Sequence, residues 1–134
     1  MKTTAYMLEA MRQVRPWVTF LAFMGFAIVL TMLVTAGILT FQGITSAESQ
    51  LGSATRFTIA GTLIINALMA VHPTMKLWSF GEAGSQFIAT KSASALEFGF
   101  AEHRRFWESW ASLTLVALIL NSTVTLLLIF VIGK

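Results

Sequence analysis

Residues 110–132 read WASLTLVALILNSTVTLLLIFVI, about 23 positions without one charged side chain. At a rise of about 1.5 Å per residue, a helix of this length matches the roughly 30 Å hydrocarbon core of a bilayer. Two further runs have the same character. Residues 17–41 hold no charge, and residues 57–77 carry only His72 and Lys76 near one end. The reading is an all-α integral membrane protein with three transmembrane helices. The run at 17–41 is too long for a secretory signal peptide, and no A-x-A site follows it.

Composition agrees. Of 134 residues, 56% are hydrophobic and 11% charged, with no cysteine, whereas an ordinary soluble domain has about 25% charged residues. Three spans leave no room for a soluble catalytic domain, so the chain reads as one helical membrane domain over 1–134. Without cysteine there is no disulfide, thiolate metal site or thiol nucleophile. The net charge of +3 is spread along the chain and flanks the apolar runs, which argues for topology signals and against a nucleic-acid partner. Lys2, Arg12, Arg15, Lys76, Lys91, Arg104 and Arg105 fall on one side of the expected membrane, with only Arg56 and Lys134 on the other. By the positive-inside rule the N-terminus and the 78–109 segment are cytoplasmic, and the 42–56 loop and the C-terminus face out.

The segment between the second and third spans decides what protrudes. It contains no proline and holds Ser94-Ala95-Leu96-Glu97, a capping box that predicts a helix start at Ser94. From there a helix can run unbroken into the third span, and the second span can continue to a turn near Lys91 and Ser92, bent near Gly81 and Gly84. The expectation is a cytoplasmic helical hairpin over 78–109. Glu102 with Arg105, and Arg104 with Glu108, have i,i+3 and i,i+4 spacing and predict a solvated charged face. Facing positions put Lys76 near the level of Glu108 and Trp110. They also put Asn66 level with Asn121, where an amide pair between spans would satisfy two otherwise costly polar groups. Before the first span, Met7, Leu8, Met11 and Val14 recur at helical spacing, which fits a short interfacial helix and an extension of the span equally well. Pro16 suits the first turn of a helix.

The blocks Arg15-Pro16-Trp17-Val18-Thr19-Phe20-Leu21, Lys76-Leu77-Trp78-Ser79-Phe80, and Leu96-Glu97 followed by His103-Arg104-Arg105-Phe106-Trp107 together resemble a family of small bacterial inner-membrane proteins catalogued as a domain of unknown function. The resemblance covers about residues 12 to 130 and implies a helical fold in the bacterial inner membrane, with no established activity. His72 before Pro73 departs from that pattern.

No phosphate loop, HExxH or GxSxG occurs, and no carboxylate lies inside a span, which argues against an enzyme, a proton relay or a cation pathway. His72 is the one intramembrane candidate for haem or chlorophyll ligation, weighed against a hydrogen bond to Thr114 or a lipid headgroup. His103 reads as an ordinary surface histidine. Phe20, Phe23 and Phe26 with Met24 and Met32 could hold a carotenoid or quinone, but such a stripe more often faces lipid or a neighbouring helix. The favoured function is a non-catalytic accessory or scaffold subunit of a larger membrane complex, such as a respiratory or photosynthetic one. Its partners are lipid and other membrane subunits or itself, with Phe87, Ile88, Leu96, Phe98, Phe100 and Phe106 as the candidate contact surface. One alternative is a homo-oligomeric pore or small transporter lined by Thr31, Thr35, Asn66, Asn121 and Thr125. A weaker one is a haem- or pigment-binding anchor.

Overall fold

A computed structural model describes the backbone of residues 2–45 and 50–132 and the side chains of 5–45 and 51–131. It is all-helical among these residues: α1 (Lys2–Thr45), α2 (Gln50–Thr90) and α3 (Ala93–Ile132). All three are long and apolar enough to cross a membrane. The described part of the 42–56 connection is helical, and its residues 46–49 lie outside the described residues, as does Lys134.

Each helix holds 40 residues or more, roughly twice what a bilayer core requires. The excess is therefore a property of α1 as well as of the last two helices. Residues 5–14 do not form a separate interfacial helix. They continue the first span, and Pro16 sits inside α1 instead of opening it. Pro73 likewise lies inside α2 and is fully buried. A proline within a helix forfeits one backbone hydrogen bond, and membrane helices tolerate this because neighbouring groups can satisfy the freed carbonyl.

The turn between α2 and α3 is two residues long. Lys91 adopts a positive φ of 54°, and its N–H donates to the Phe87 carbonyl at 2.8 Å, a left-handed ending of the kind that closes many helices. The Leu96 N–H then donates to the Ser92 carbonyl at 3.4 Å. The helix thus starts from Ser92, two residues earlier than the capping-box reading placed it. Ser94 is already in the first turn, and its hydroxyl pairs with that of Ser92 at 2.7 Å in place of a reciprocal box with Glu97.

Helix contacts group the chain into two compact units, Met1–Ala27 with Val71–Trp110, and Ile28–Ala70 with Ala111–Lys134. By sequence, the second unit holds only three charged residues, Glu48, Arg56 and Lys134, and the first holds all the others. In the second unit the buried positions are small or β-branched: Val29, Ala36, Gly43, Ala60 and Ala67. Lipid offers no hydrophobic drive to associate helices, so close backbone approach through small residues supplies the packing. The Arg56 guanidinium donates to the Gln42 carbonyl at 3.2 Å, occupying one of the acceptors that the end of α1 leaves open.

The first unit has a larger core. Met11, Val18 and Ala22 of α1 meet Leu77, Phe80 and Phe87 of α2, with Leu8, Ile88, Ala95, Leu96 and Phe106 packed around them. Gly81 and Gly84 do not break α2. A side chain at Gly81 would meet the Thr19 hydroxyl at 3.2 Å, and one at Gly84 would meet the Met11 methyl at 3.5 Å, so both glycines serve the approach of α1.

Candidate functional site

The position that organises the first unit is Glu102. Its neighbours at helical spacing, Ala95, Gly99 and Phe106, belong to the side of α3 that packs inward, and Gly99 draws α3 close enough that a side chain there would meet Ala83 at 3.3 Å. Glu102 therefore points into the bundle and is only 2% exposed. A buried carboxylate is tolerated when it is paired. Here Lys76 Nζ lies 3.1 Å from one oxygen, and Arg105 Nη1 lies 2.7 Å from the other. Burial pushes the carboxyl up, but the hydrogen bonds and charges of Lys76 and Arg105 outweigh it, leaving Glu102 below the ordinary carboxylate value.

Two sequence expectations change here. Glu102 is not part of a solvated charged face: of the two pairs, only Arg104 and Glu108, 2.7 Å apart, are exposed on both sides. The level of Lys76, expected near Glu108 and Trp110, also shifts slightly. With the turn at Lys91 and Ser92, Lys76 stands about level with residue 107, and its long side chain reaches back toward the turn to Glu102. The signal for this was present in the sequence: Ala95, Gly99, Glu102 and Phe106 share one helical stripe, which carries the carboxylate inward with the apolar residues.

Aromatic side chains surround the ion cluster. The His103 ring lies 4.8 Å from that of Phe80, and its Nε2 accepts the Trp107 indole N–H at 3.0 Å. An imidazole nitrogen that accepts carries no proton, so in the neutral ring the proton sits on Nδ1, which is buried without a hydrogen-bond partner. Trp107 and Trp110 both pack on Phe106. His103 is thus engaged by rings on two helices and is not a free surface histidine.

The six apolar candidates divide. Phe87 is 3% exposed and lies in the core, with Ile88, Leu96 and Phe106 packed against it. Phe98 and Phe100 remain 53% and 55% exposed, as does Trp107 at 55%. His72 is exposed, and among the described residues no group of three or more histidine, cysteine or acidic side chains is placed to hold a metal ion.

In the second unit Asn66 and Asn121 meet. Asn66 Nδ2 donates to Asn121 Oδ1 at 3.0 Å, Asn121 Nδ2 returns a longer bond of 3.4 Å, and the same nitrogen donates to the Ala117 carbonyl at 2.7 Å. The hydroxyls of Thr62, Thr123 and Thr125 turn back on carbonyls of their own helices. These amides and hydroxyls are therefore satisfied without water, as hydrocarbon requires.

No protein-family model, curated protein or solved structure matches the chain.

Proposed function

We propose that the chain is a non-catalytic accessory or scaffold subunit of a larger assembly in the bacterial inner membrane, with a cytoplasmic N-terminus and its contact surface on the helical hairpin at 78–109. The observation that carries this reading is the exposure of Phe98, Phe100 and Trp107 on α3. They lie before the apolar run at 110–132, in a stretch that also carries Glu97, Arg104, Arg105 and Glu108. Trp107 suits the membrane interface, but Phe98 and Phe100 stand about 15–18 Å before the apolar run, beyond that band, and protein interfaces are enriched in such rings. The charge cluster supports the same reading, since Lys76, Glu102 and Arg105 engage one another and brace α3 against α2. The threonines bonded to their own helices and the paired asparagines favour a packing role over a water path.

The test is purification of the chain from its native membrane in mild detergent, with and without the double substitution Phe98→Glu and Phe100→Glu. Expected is a defined set of other membrane subunits with the parent chain and their loss from the variant, while the variant keeps its level in the membrane. An isolated self-oligomer, or complexes unchanged by the substitutions, would overturn the reading. A Soret band in the purified parent chain would instead favour the haem anchor.

A further inference from the structure

Five charged groups of the first unit form ion pairs. Lys76 and Arg105 share Glu102, and Arg104 holds Glu108. Arg12 and Arg15 on α1 and Glu82 on α2 are different: among the described residues none of them has an ion-pair partner within 4 Å. They border adjoining hollows within this unit. One, of about 450 Å³, is lined by Arg15, Thr19, Trp78, Glu82, Ser85 and Gln86. The other, of about 550 Å³, shares Arg15 and Thr19 and adds Arg12, Pro16 and Ile88. The close approach of Gly81 to Thr19 sets the first hollow between the two helices. Arg15 and Glu82 thus line one groove with opposite charges that do not close on each other.

We infer that this groove binds the headgroup of an aminophospholipid, with Arg15 and Arg12 on the phosphate and Glu82 on the ammonium. A guanidinium presents a planar fork of donors matched to phosphate oxygens, and a carboxylate accepts from an ammonium. The Ser85 hydroxyl donates to the Gly81 carbonyl at 3.3 Å, so its oxygen is left to accept as well. The position on α1 fits a lipid. Arg15 comes two residues before Trp17, where the charge-free run begins, so on this helix the arginines stand at the edge of the hydrocarbon. Trp17 and Phe20, both more than half exposed and in edge-to-face contact with ring centroids 6.5 Å apart, continue from that edge as an apolar surface for acyl chains. Trp78 in the wall of the groove supplies the amphipathic ring favoured at this depth. A purely anionic lipid would leave Glu82 facing phosphate, and a choline headgroup has no N–H for it to accept.

The experiment uses the full chain, delipidated in mild detergent and titrated with phosphatidylethanolamine, phosphatidylglycerol, phosphatidylcholine or inorganic phosphate, with binding read by native mass spectrometry and thermal unfolding. Phosphatidylethanolamine should bind at least about tenfold more tightly than phosphatidylcholine. Arg15→Gln should lose about tenfold for phosphatidylethanolamine, Arg15→Lys should recover part of it, and Glu82→Gln should shift preference toward phosphatidylglycerol. Both positions face the groove and not the core, and unchanged helix content by circular dichroism verifies the fold of each variant. Equal binding of choline and ethanolamine lipids, equal protection by inorganic phosphate, or unaltered binding by the Arg15→Gln and Glu82→Gln variants would each overturn the inference.

Discussion

A single carboxylate and a single pair of amides carry most of the polar specificity of this chain. Glu102 has its titration lowered in the folded state by Lys76 and Arg105, so its contribution is fully present above the ordinary carboxylate value of about 4.3. It is lost as pH falls through the lower folded value. Thermal stability in detergent should therefore drop on acidification below about pH 4, and Glu102→Gln should remove much of that dependence. At neutral pH the same substitution leaves Lys76 beside a neutral amide and should destabilise by about 1.5–3 kcal/mol, the range for hydrogen bonds to charged groups. A variant as stable as the parent would show that the buried pair adds nothing. For Asn66 and Asn121, Leu substitutions made singly and together give a double-mutant cycle. Its coupling should be about 0.6–1.7 kcal/mol, and the double variant should be less perturbed than the two single losses added, because neither amide is then left alone. Additive losses would show that the hydrogen bonds are incidental.

At the level of helices, the close contact between α1 and α2 depends on Gly25. A methyl group there would come within 2.7 Å of the Thr74 hydroxyl oxygen and 2.8 Å of its methyl, and Thr74 is itself buried. Gly25→Ala should destabilise the bundle by about 1–3 kcal/mol as the helices are forced apart. Gly37→Ala, where nothing stands within 4 Å, should be close to neutral, and equal stability of the two variants in a detergent unfolding assay would contradict this. The helices themselves were legible in the sequence, since long charge-free runs have one stable form in hydrocarbon. So was the pairing of Asn66 with Asn121, because two amides in hydrocarbon satisfy each other, although the turn at Lys91 and Ser92 puts residue 117, about one helical turn away, level with Asn66. The limits of the helices were less legible. Pro16 permits a helix start without requiring one, and Ser92 and Ser94 offer two caps of similar chemistry two residues apart. The inward turn of Glu102 was missed because i,i+3 spacing to Arg105 is equally consistent with a surface pair. Only the packing stripe through Ala95, Gly99 and Phe106 separates the two readings.

Over the whole molecule, charge is confined to a few stretches, and the bias of basic residues gives the expected orientation. In inverted membrane vesicles and intact cells, a cysteine placed at Ala54 should be labelled by a membrane-impermeant reagent only from outside. One placed at Glu97 should be labelled only from the cytoplasm, and the reverse pattern would invert the topology. With no native cysteine in the chain, each probe reports a single site. The ion pair between Lys76 and Glu102 also has a meaning in the order of synthesis. The lysine leaves the ribosome about 26 residues before its glutamate, and through that interval α2 carries an ammonium group without the counter-ion that seats it. A chain arrested in the turn at Lys91 and Ser92 would keep this bare charge, together with a Phe80 ring that His103 has not yet covered. Synthesis of the first turns of α3 supplies both partners together, so the contact that holds α3 against α2 can form before the last apolar run is made.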